Sequence, residues 1–180
     1  MGVNNRKAGE QKMVKIRVLD LEVNNEITFD PYVPLDIKWG HWDEIKEATK
    51  YCRFGDFKYS LLEIGVNSVT EQIRSVTLVE IRNIEIFRSK CEVTIGEFEI
   101  GTPALFTDNW IGTDRLDITA EMKLNIYLDG LIINFGETNA TRFIRNGKVI
   151  FGLNQSNEMC FIRLVDIDNN KIEAFKESLS

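Results

Sequence analysis

The feature that most constrains the fold is a succession of short apolar runs, each of strand length, separated by turn signals. Two of these signals, Asp129-Gly130 and Asn146-Gly147, are specific for two-residue hairpin turns, because those turns need positive φ at their central residues. The runs that they separate are 121–128, 131–135, 142–144 and 148–153. The second half of the chain is therefore predicted to be a meander of hairpins.

Further runs predict strands elsewhere in the chain, because they alternate apolar with polar residues or are rich in β-branched residues. These predicted strands are 13–19, 57–61, 73–81, 83–88, 91–95, 97–100 and 159–167. The segment 27–38 contains Pro31 and Pro34, and we expect it to be an extended loop.

Two helices are predicted beside the strands. Asp43 is a plausible N-cap, and Ile45, Ala48 and Cys52 follow it at helical spacing, which predicts a short helix near residues 43–52.

A second helix is predicted near 170–179, capped by Asn169 or Asn170. Its buried stripe would be Ile172, Phe175 and Leu179. The predicted fold class is thus α+β, mainly an antiparallel β-sheet built from hairpins, with these two helices.

The chain contains an internal echo. Gly65 is matched by Gly152 at an offset of 87 residues, and a later Leu-Val-acid-Ile motif is matched at an offset of 86. One interpretation is a duplicated hairpin, and the other is that hairpins generally carry Gly and Asn near their turns. We expect a flexible segment at 1–12 and one α+β domain at 13–180, with the question of two related halves left open.

Charge and cysteine content limit the possible functions. The 180 residues have a net charge of -6, and 101–140 contributes six acids against two bases. An acidic surface repels nucleic-acid phosphates and attracts basic proteins, although a charge run can also be only a solvated face. Three widely spaced cysteines, no signal peptide and no membrane-length apolar stretch predict a cytoplasmic protein that contacts neither nucleic acid nor membrane.

No recognisable catalytic or cofactor-binding motif is present. The sequence has no GxSxG elbow, no glycine-rich phosphate loop and no CxxC pair, and His41 is its one histidine. We therefore predict no catalytic residue, no cofactor and no metal site. His41 lies between Trp39 and Trp42, so a small-ligand-binding protein or an enzyme with a pocket there remains an alternative.

Two stretches of sequence suggest a family. LEIGVNSVTEQIRSVTLVEI (Leu62–Ile81) and GKVIFGLNQSNEMCFIRLVDI (Gly147–Ile167) resemble immunity proteins of bacterial polymorphic-toxin and contact-dependent inhibition systems. The resemblance implies a cytosolic, non-catalytic inhibitor that binds one cognate toxin domain, often a basic nuclease. A structural β protein that oligomerises through its edge strands is a further alternative, and the oligomeric state stays open.

A partner-binding patch is predicted within 101–118, where acids lie beside aromatic residues. Interface hot spots favour Trp, Tyr and Arg. The predicted partner-binding residues are Asp108, Trp110, Asp114, Arg115 and Asp117. Trp39 and Trp42 are the second choice, and the other explanation of the patch is a loop that its aromatic residues anchor to the core.

Overall fold

The computed structural model describes residues 13–44, 46–92, 96–108, 110, 112–136 and 139–180. These residues form two large β-sheets, a two-stranded ribbon and a C-terminal helix. The inward side chains of both sheets belong to one apolar cluster. Aromatic rings meet across it, since the ring centroids of Phe54 and Phe135 are 5.3 Å apart. The two sheets therefore pack face to face.

The strands are numbered here in chain order. They are β1 Ile16–Leu19, β2 Asn25–Thr28, β3 Leu35–Trp39, β4 Thr49–Gly55, β5 Leu61–Asn67, β6 Ile73–Glu80, β7 Ile84–Ile86, β8 Phe98–Ile100, β9 Thr102–Leu105, β10 Arg115–Thr119, β11 Met122–Ile126, β12 Leu131–Phe135, β13 Arg142–Asn146, β14 Val149–Leu153 and β15 Met159–Leu164. The helix α1 spans Asn169–Ser178, and a one-turn 3-10 helix spans Trp42–Glu44.

Both large sheets mix antiparallel and parallel pairs. Sheet A has the order β10-β4-β5-β6-β3-β2, and sheet B has the order β7-β11-β12-β15-β14-β13-β8. The hairpins formed by consecutive strands are antiparallel. In contrast, β10 pairs in parallel with β4, β7 with β11, and β8 with β13. The prediction of a mostly β fold with a C-terminal helix is confirmed, and the prediction of an antiparallel hairpin sheet fits only in part.

The two sheets contain the same topology twice. The order β4-β5-β6-β3-β2 in sheet A is matched by β13-β14-β15-β12-β11 in sheet B. The registers also agree: Gly65 is opposite Ser75 as Gly152 is opposite Phe161, and each strand pair shifts register directly after the glycine. Residues that pair in these five strands of one sheet therefore have equivalent positions in the other, whereas β7 has no equivalent strand in sheet A.

The tips of the equivalent hairpins repeat the same geometry. Glu71 and Asn157 occupy matching positions, and both have a φ of 63°. Glu71 O accepts a hydrogen bond from Leu105 N, and Asn157 O accepts one from Ile16 N, both at 2.9 Å. Ile16 and Leu105 are directly opposite each other in the β1-β9 ribbon. The two units are therefore related by an approximate two-fold axis through this ribbon, as in a dimer joined into one chain.

The predicted helix near 43–52 is wrong, because its last four residues belong to β4 and only Asp43 and Glu44 lie in the one-turn 3-10 helix. Cys52 and Phe54 are buried and alternate with the half-buried Tyr51 and Arg53, which is the period of a strand. The helical spacing misled because Cys52 faces the core in either arrangement, and Ile45 lies outside the described residues.

Three loop and strand boundaries also differ from the predictions. The ends of 27–38 belong to β2 and β3, and Pro31 and Pro34 lie between these strands. Residues 57–60 form a turn, in which Asp56 Oδ1 accepts backbone hydrogen bonds from residues 58 to 60.

Two predictions fall partly or wholly on residues that the structure does not describe. Cys91 and Glu92 lie outside the strands, and the rest of the predicted strand 91–95 is outside the described residues, as is the predicted flexible segment 1–12. The C-terminal helix is confirmed, although Asp168 is its N-cap.

Candidate functional site

One row of side chains crosses sheet A from edge to edge on the face that points away from the core. The strand register places each member directly opposite the next. In order across the sheet, the members are Asp117, Arg53, Glu63, Thr77, Asp36 and Thr28. We refer to these six residues as the polar row. Their neighbours along each strand point to the opposite face, because side chains alternate along a strand.

Ion pairs and hydrogen bonds hold both ends of the polar row. The Arg53 guanidinium donates to both carboxylate oxygens of Asp117 at 2.8 and 2.7 Å, and these hydrogen bonds lower the pKa of Asp117. Thr77 Oγ1 donates to Asp36 Oδ1 at 2.9 Å. Among the described residues, none forms a hydrogen bond or ion pair with the carboxylate of Glu63, which lies between these two groups. The centre of the row therefore has a free acceptor.

A hollow of about 400 Å³ lies over one half of the polar row. We refer to it as the sheet A depression. Its lining residues are Thr28, Asp30, Val33, Asp36, Lys38, Trp42, Tyr51, Glu63, Ser75 and Thr77. Three carboxylates face one ammonium in this lining, which gives a net formal charge of -2 (1 - 3). The depression is thus acidic, with two aromatic side chains in its wall.

Two exposed aromatic residues belong to segments that line the depression: Trp42 is part of the lining, and Tyr32 lies between the lining residues Asp30 and Val33 in sequence. Tyr32 is 93% exposed, and Asp30 Oδ1 accepts a hydrogen bond from its backbone N–H at 2.8 Å. This Asx turn holds the loop that presents the tyrosine ring to solvent. Trp42 is partly exposed, and Lys38 Nζ lies 6.0 Å from the centre of its ring. Both rings are therefore accessible to a binding partner.

The equivalent row of sheet B has a different environment. Its members are Ile100, Arg145, Ile150, Arg163, Ile132 and Asn125. Its three central members, Ile150, Arg163 and Ile132, are buried, whereas Glu63, Thr77 and Asp36 are only half-buried. Glu92 and Gly96, which belong to the connection between β7 and β8, lie on this face of sheet B.

Two contacts show where these two residues lie. Glu92 O accepts a hydrogen bond from Arg163 Nη1 at 2.9 Å. Gly96 lies against the Phe143 ring, because a Cβ on this glycine would be 3.2 Å from a ring carbon. The chain thus covers the outward face of sheet B with its own residues.

The residues of the predicted patch separate into two groups. Arg115 and Asp117 lie on the edge strand β10, with Arg115 Nε 3.8 Å from the Asp117 carboxylate, and Asp114 O accepts a hydrogen bond from Tyr51 N. Asp108 is exposed, but Trp110 is only 5% exposed and belongs to the core. The Trp110 ring anchors its loop and presents no surface to a partner.

The alternative pocket around His41 is not assembled in one place. Trp39 is buried, and its Nε1–H donates to Asn146 Oδ1 at 2.9 Å. His41 is exposed beside a hollow of about 190 Å³ that Trp39 and Arg74 also line. Trp42 lines the sheet A depression instead. The two tryptophans therefore do not share a pocket.

The described residues offer no obvious reactive group. No cluster of three or more His, Cys, Asp or Glu residues among them could hold a metal ion. Cys52, Cys91 and Cys160 are buried cysteines. Burial raises the pKa of Cys52 and of Cys91, so both remain protonated at neutral pH.

Sequence reasoning missed Tyr32, Glu63 and Ser75. Asp30-Pro31-Tyr32 was a turn signal that could have marked Tyr32 as exposed. Glu63 is an outward strand position with no local signal, and its place in the row follows from pairing with β4 and β6.

Compared with known proteins, the chain matches no protein-family model and no curated protein. No helix among the described residues is long and apolar enough to cross a membrane.

Proposed function

We propose that this chain is a non-catalytic immunity protein that neutralises a cognate bacterial toxin domain in the cytoplasm by binding it with the outward face of sheet A. One observation carries the proposal: this face presents an acidic depression that Trp42 lines, beside a loop that carries the exposed Tyr32, while the chain itself covers part of the equivalent face of sheet B.

The dimensions of the face suit a protein partner. Six strands spaced about 4.8 Å apart span about 24 Å over five intervals. A standard interface buries about 800 Å² on each partner, which corresponds to a square about 28 Å on a side. Tyr32 and Trp42 have the rigid amphipathic rings that carry much of the binding energy in such interfaces. The sheet face and its flanking loop are thus large enough for one toxin domain.

Charge supports the choice of a basic partner. The chain has a net charge of -6, and the lining of the depression contributes to the same sign. Complementary charge raises the association rate of two proteins and disfavours partners of like charge. A toxin domain with a basic active-site surface, such as a nuclease, has the required complementarity.

The direct test is a growth assay in bacteria that express the toxin domain encoded by the neighbouring gene. Co-expression of this chain should restore growth, and purified chain should bind the purified domain. Thr77→Arg places a cation at the centre of the polar row and should abolish both effects. Ser156→Arg adds the same charge on an exposed turn of sheet B and should leave both unchanged.

Two outcomes would overturn the proposal. One is a neighbouring gene that encodes a metabolic enzyme and no toxin. The other is full neutralisation by Thr77→Arg when its folded structure is intact. A stable homo-oligomer that binds no toxin domain would favour the structural alternative, which mass measurement in solution detects.

A further inference from the structure

Sheet B shows which side chains can occupy the positions that line the depression in sheet A. Phe161 in sheet B is equivalent to Ser75 in sheet A, and Arg163 is equivalent to Thr77. The Phe161 ring lies over Gly152, since a Cβ on that glycine would come within 2.4 Å of ring atoms. The Arg163 guanidinium lies 5.2 Å from the centre of the same ring. Sheet B therefore fills this place with its own arginine and aromatic ring.

Sheet A lacks these two side chains at the same backbone positions. Gly65 is retained, but the groups nearest to it are the Ser75 hydroxyl and the side chains of Thr49 and Tyr51, so no phenylalanine ring from the Ser75 position lies over it. The depression of about 400 Å³ lies where sheet B has a ring and a guanidinium. The hollow is thus a consequence of two small residues in a repeated scaffold.

Ser75 supplies an independent sign that the depression accepts a ligand. Its side chain lines the hollow, the residue is only 6% exposed, and it has no hydrogen-bond partner among the described residues. A nearly buried hydroxyl gains stability when it finds a partner. Glu63, in the same lining, also has a free carboxylate.

We propose that the sheet A depression receives an arginine side chain of the bound protein. This proposal rests on the proposed function of the face as a protein-binding surface. The guanidinium has the planar fork that pairs with the Glu63 carboxylate through two N–H donors. Tyr51 provides an aromatic face for cation–π contact, whereas the Trp42 ring already has Lys38 Nζ 6.0 Å from its centre. The net formal charge of -2 in the lining, which includes Lys38, favours a further cation.

The first experiment uses N-acetyl-arginine amide as the probe and N-acetyl-citrulline amide as its uncharged isostere. The purified full chain is titrated with each compound while backbone amide shifts are followed by NMR. The arginine compound should shift the amides of Glu63, Ser75 and Thr77 in a saturable manner. The citrulline compound should bind at least about tenfold more weakly, because it retains the shape and loses the charge. Equal binding of both compounds, or shifts centred elsewhere, would overturn the proposal.

Variants then test the groups involved. Glu63→Gln should weaken binding of the arginine compound at least about fivefold, because charge-assisted hydrogen bonds are about twice as strong as neutral ones. The control Glu121→Gln makes the same charge change at an exposed residue outside the depression and should bind like the original chain.

Ser75→Phe, which introduces the equivalent residue of sheet B, should abolish binding by filling the hollow. If this variant does not fold, Glu63→Gln and its control decide the matter. Unchanged binding in folded Glu63→Gln contradicts the proposal.

Failure of this proposal can be distinguished from failure of the proposed function. Suppose that Thr77→Arg blocks toxin neutralisation, yet the arginine compound does not bind and Glu63→Gln neutralises normally. The arginine proposal is then wrong and the protein-binding face stands. Conversely, specific binding of the arginine compound without any neutralisation of the neighbouring toxin contradicts the immunity function alone.

Discussion

Sheets A and B share strand order and register, yet the central residues of their outward faces differ in exposure to solvent. In sheet A the central residues Glu63, Thr77 and Asp36 remain partly accessible. In sheet B the equivalent Ile150 and Ile132 are buried, and Arg163 between them donates a hydrogen bond to Glu92 O. The same backbone thus supports either a covered layer or an open surface, because apolar side chains favour burial by the chain and polar ones favour solvent.

The two-fold relation extends into the core, where two equivalent contacts differ in chemistry. Phe54 is equivalent to Asn146, and Trp39 is equivalent to Phe135. One contact is therefore Phe54 against Phe135, with ring centroids 5.3 Å apart. Its counterpart is the hydrogen bond from Trp39 Nε1 to Asn146 Oδ1 at 2.9 Å. A ring pair and a polar pair occupy equivalent places across the two sheets.

The largest expected effect comes from breaking these two core contacts separately. Phe54→Ala should lower the free energy of unfolding by about 3–5 kcal/mol, because it leaves a large cavity. Asn146→Ala should cost about 1–3 kcal/mol, because it leaves the buried Trp39 N–H unpaired. Urea denaturation of both variants measures the difference. A larger loss for Asn146→Ala would show that the polar contact is the stronger of the two.

Exchange of the central row residues tests the covered and open faces. Arg163→Thr should cost about 1.5–3 kcal/mol, because it removes a charged hydrogen bond to Glu92 O on the covered face. Thr77→Arg should cost less, about 0.5–1.5 kcal/mol, because its site is half-buried and it removes one hydrogen bond, to Asp36. Thermal and urea unfolding give both values. Equal losses would contradict the contrast between the faces.

The equivalent glycines should differ by a smaller amount. Gly152→Ala should cost about 1–3 kcal/mol, because the new Cβ overlaps the packed Phe161 ring. Gly65→Ala should cost about 1 kcal/mol or less, because the atom within 2.5 Å is Ser75 Oγ, which can rotate away. The pair is compared in the same urea series. A greater loss of unfolding free energy in Gly65→Ala than in Gly152→Ala would show that Ser75 cannot rotate away and would contradict this prediction.

The smallest expected effect concerns the hairpin tips. Burial alone would raise the pKa of Glu71, but hydrogen bonds from Thr107 and Arg17 outweigh it and leave the pKa lowered. Because the folded pKa is lowered, Glu71 contributes stability above the pKa of an unfolded glutamate, about 4.3. That contribution is lost as the pH falls through the lower folded value. The equivalent Asn157 does not titrate in this range.

Glu71→Gln should therefore reduce the loss of stability between pH 6 and pH 3. Urea midpoints at the two pH values measure this loss, and Glu121→Gln is the matched control. An unchanged loss in Glu71→Gln would mean that other carboxylates account for the acid sensitivity of the chain.

Local chemistry explains which elements could be predicted. Asp129-Gly130 and Asn146-Gly147 both lie at the ends of antiparallel hairpins, although Asn146 is the last residue of β13 and of these four residues Gly147 alone has positive φ. The C-terminal helix is confirmed because its N-cap and buried stripe lie within one short segment. The helix prediction around Cys52 failed because Cys52 faces the core in a helix and in a strand alike.

The candidate site depended on contacts that are distant in sequence. Arg53 and Asp117 are 64 residues apart, and Thr77 and Asp36 are 41 apart, yet each pair is hydrogen-bonded in the polar row. Trp110 had the composition of a surface anchor, but packing placed its ring in the core. Only Asp117 of the predicted patch belongs to the polar row.

The sequence by itself determined the hairpins, the final helix and the echo around the two glycines, because turn chemistry and side-chain periodicity act over a few residues. The tertiary structure alone decided which sheet face is covered and which is open. That choice depends on the order of strands and on the path of the chain between β7 and β8, which no short stretch specifies. The depression in sheet A arises only when Ser75, Thr77 and Glu63 are paired across neighbouring strands.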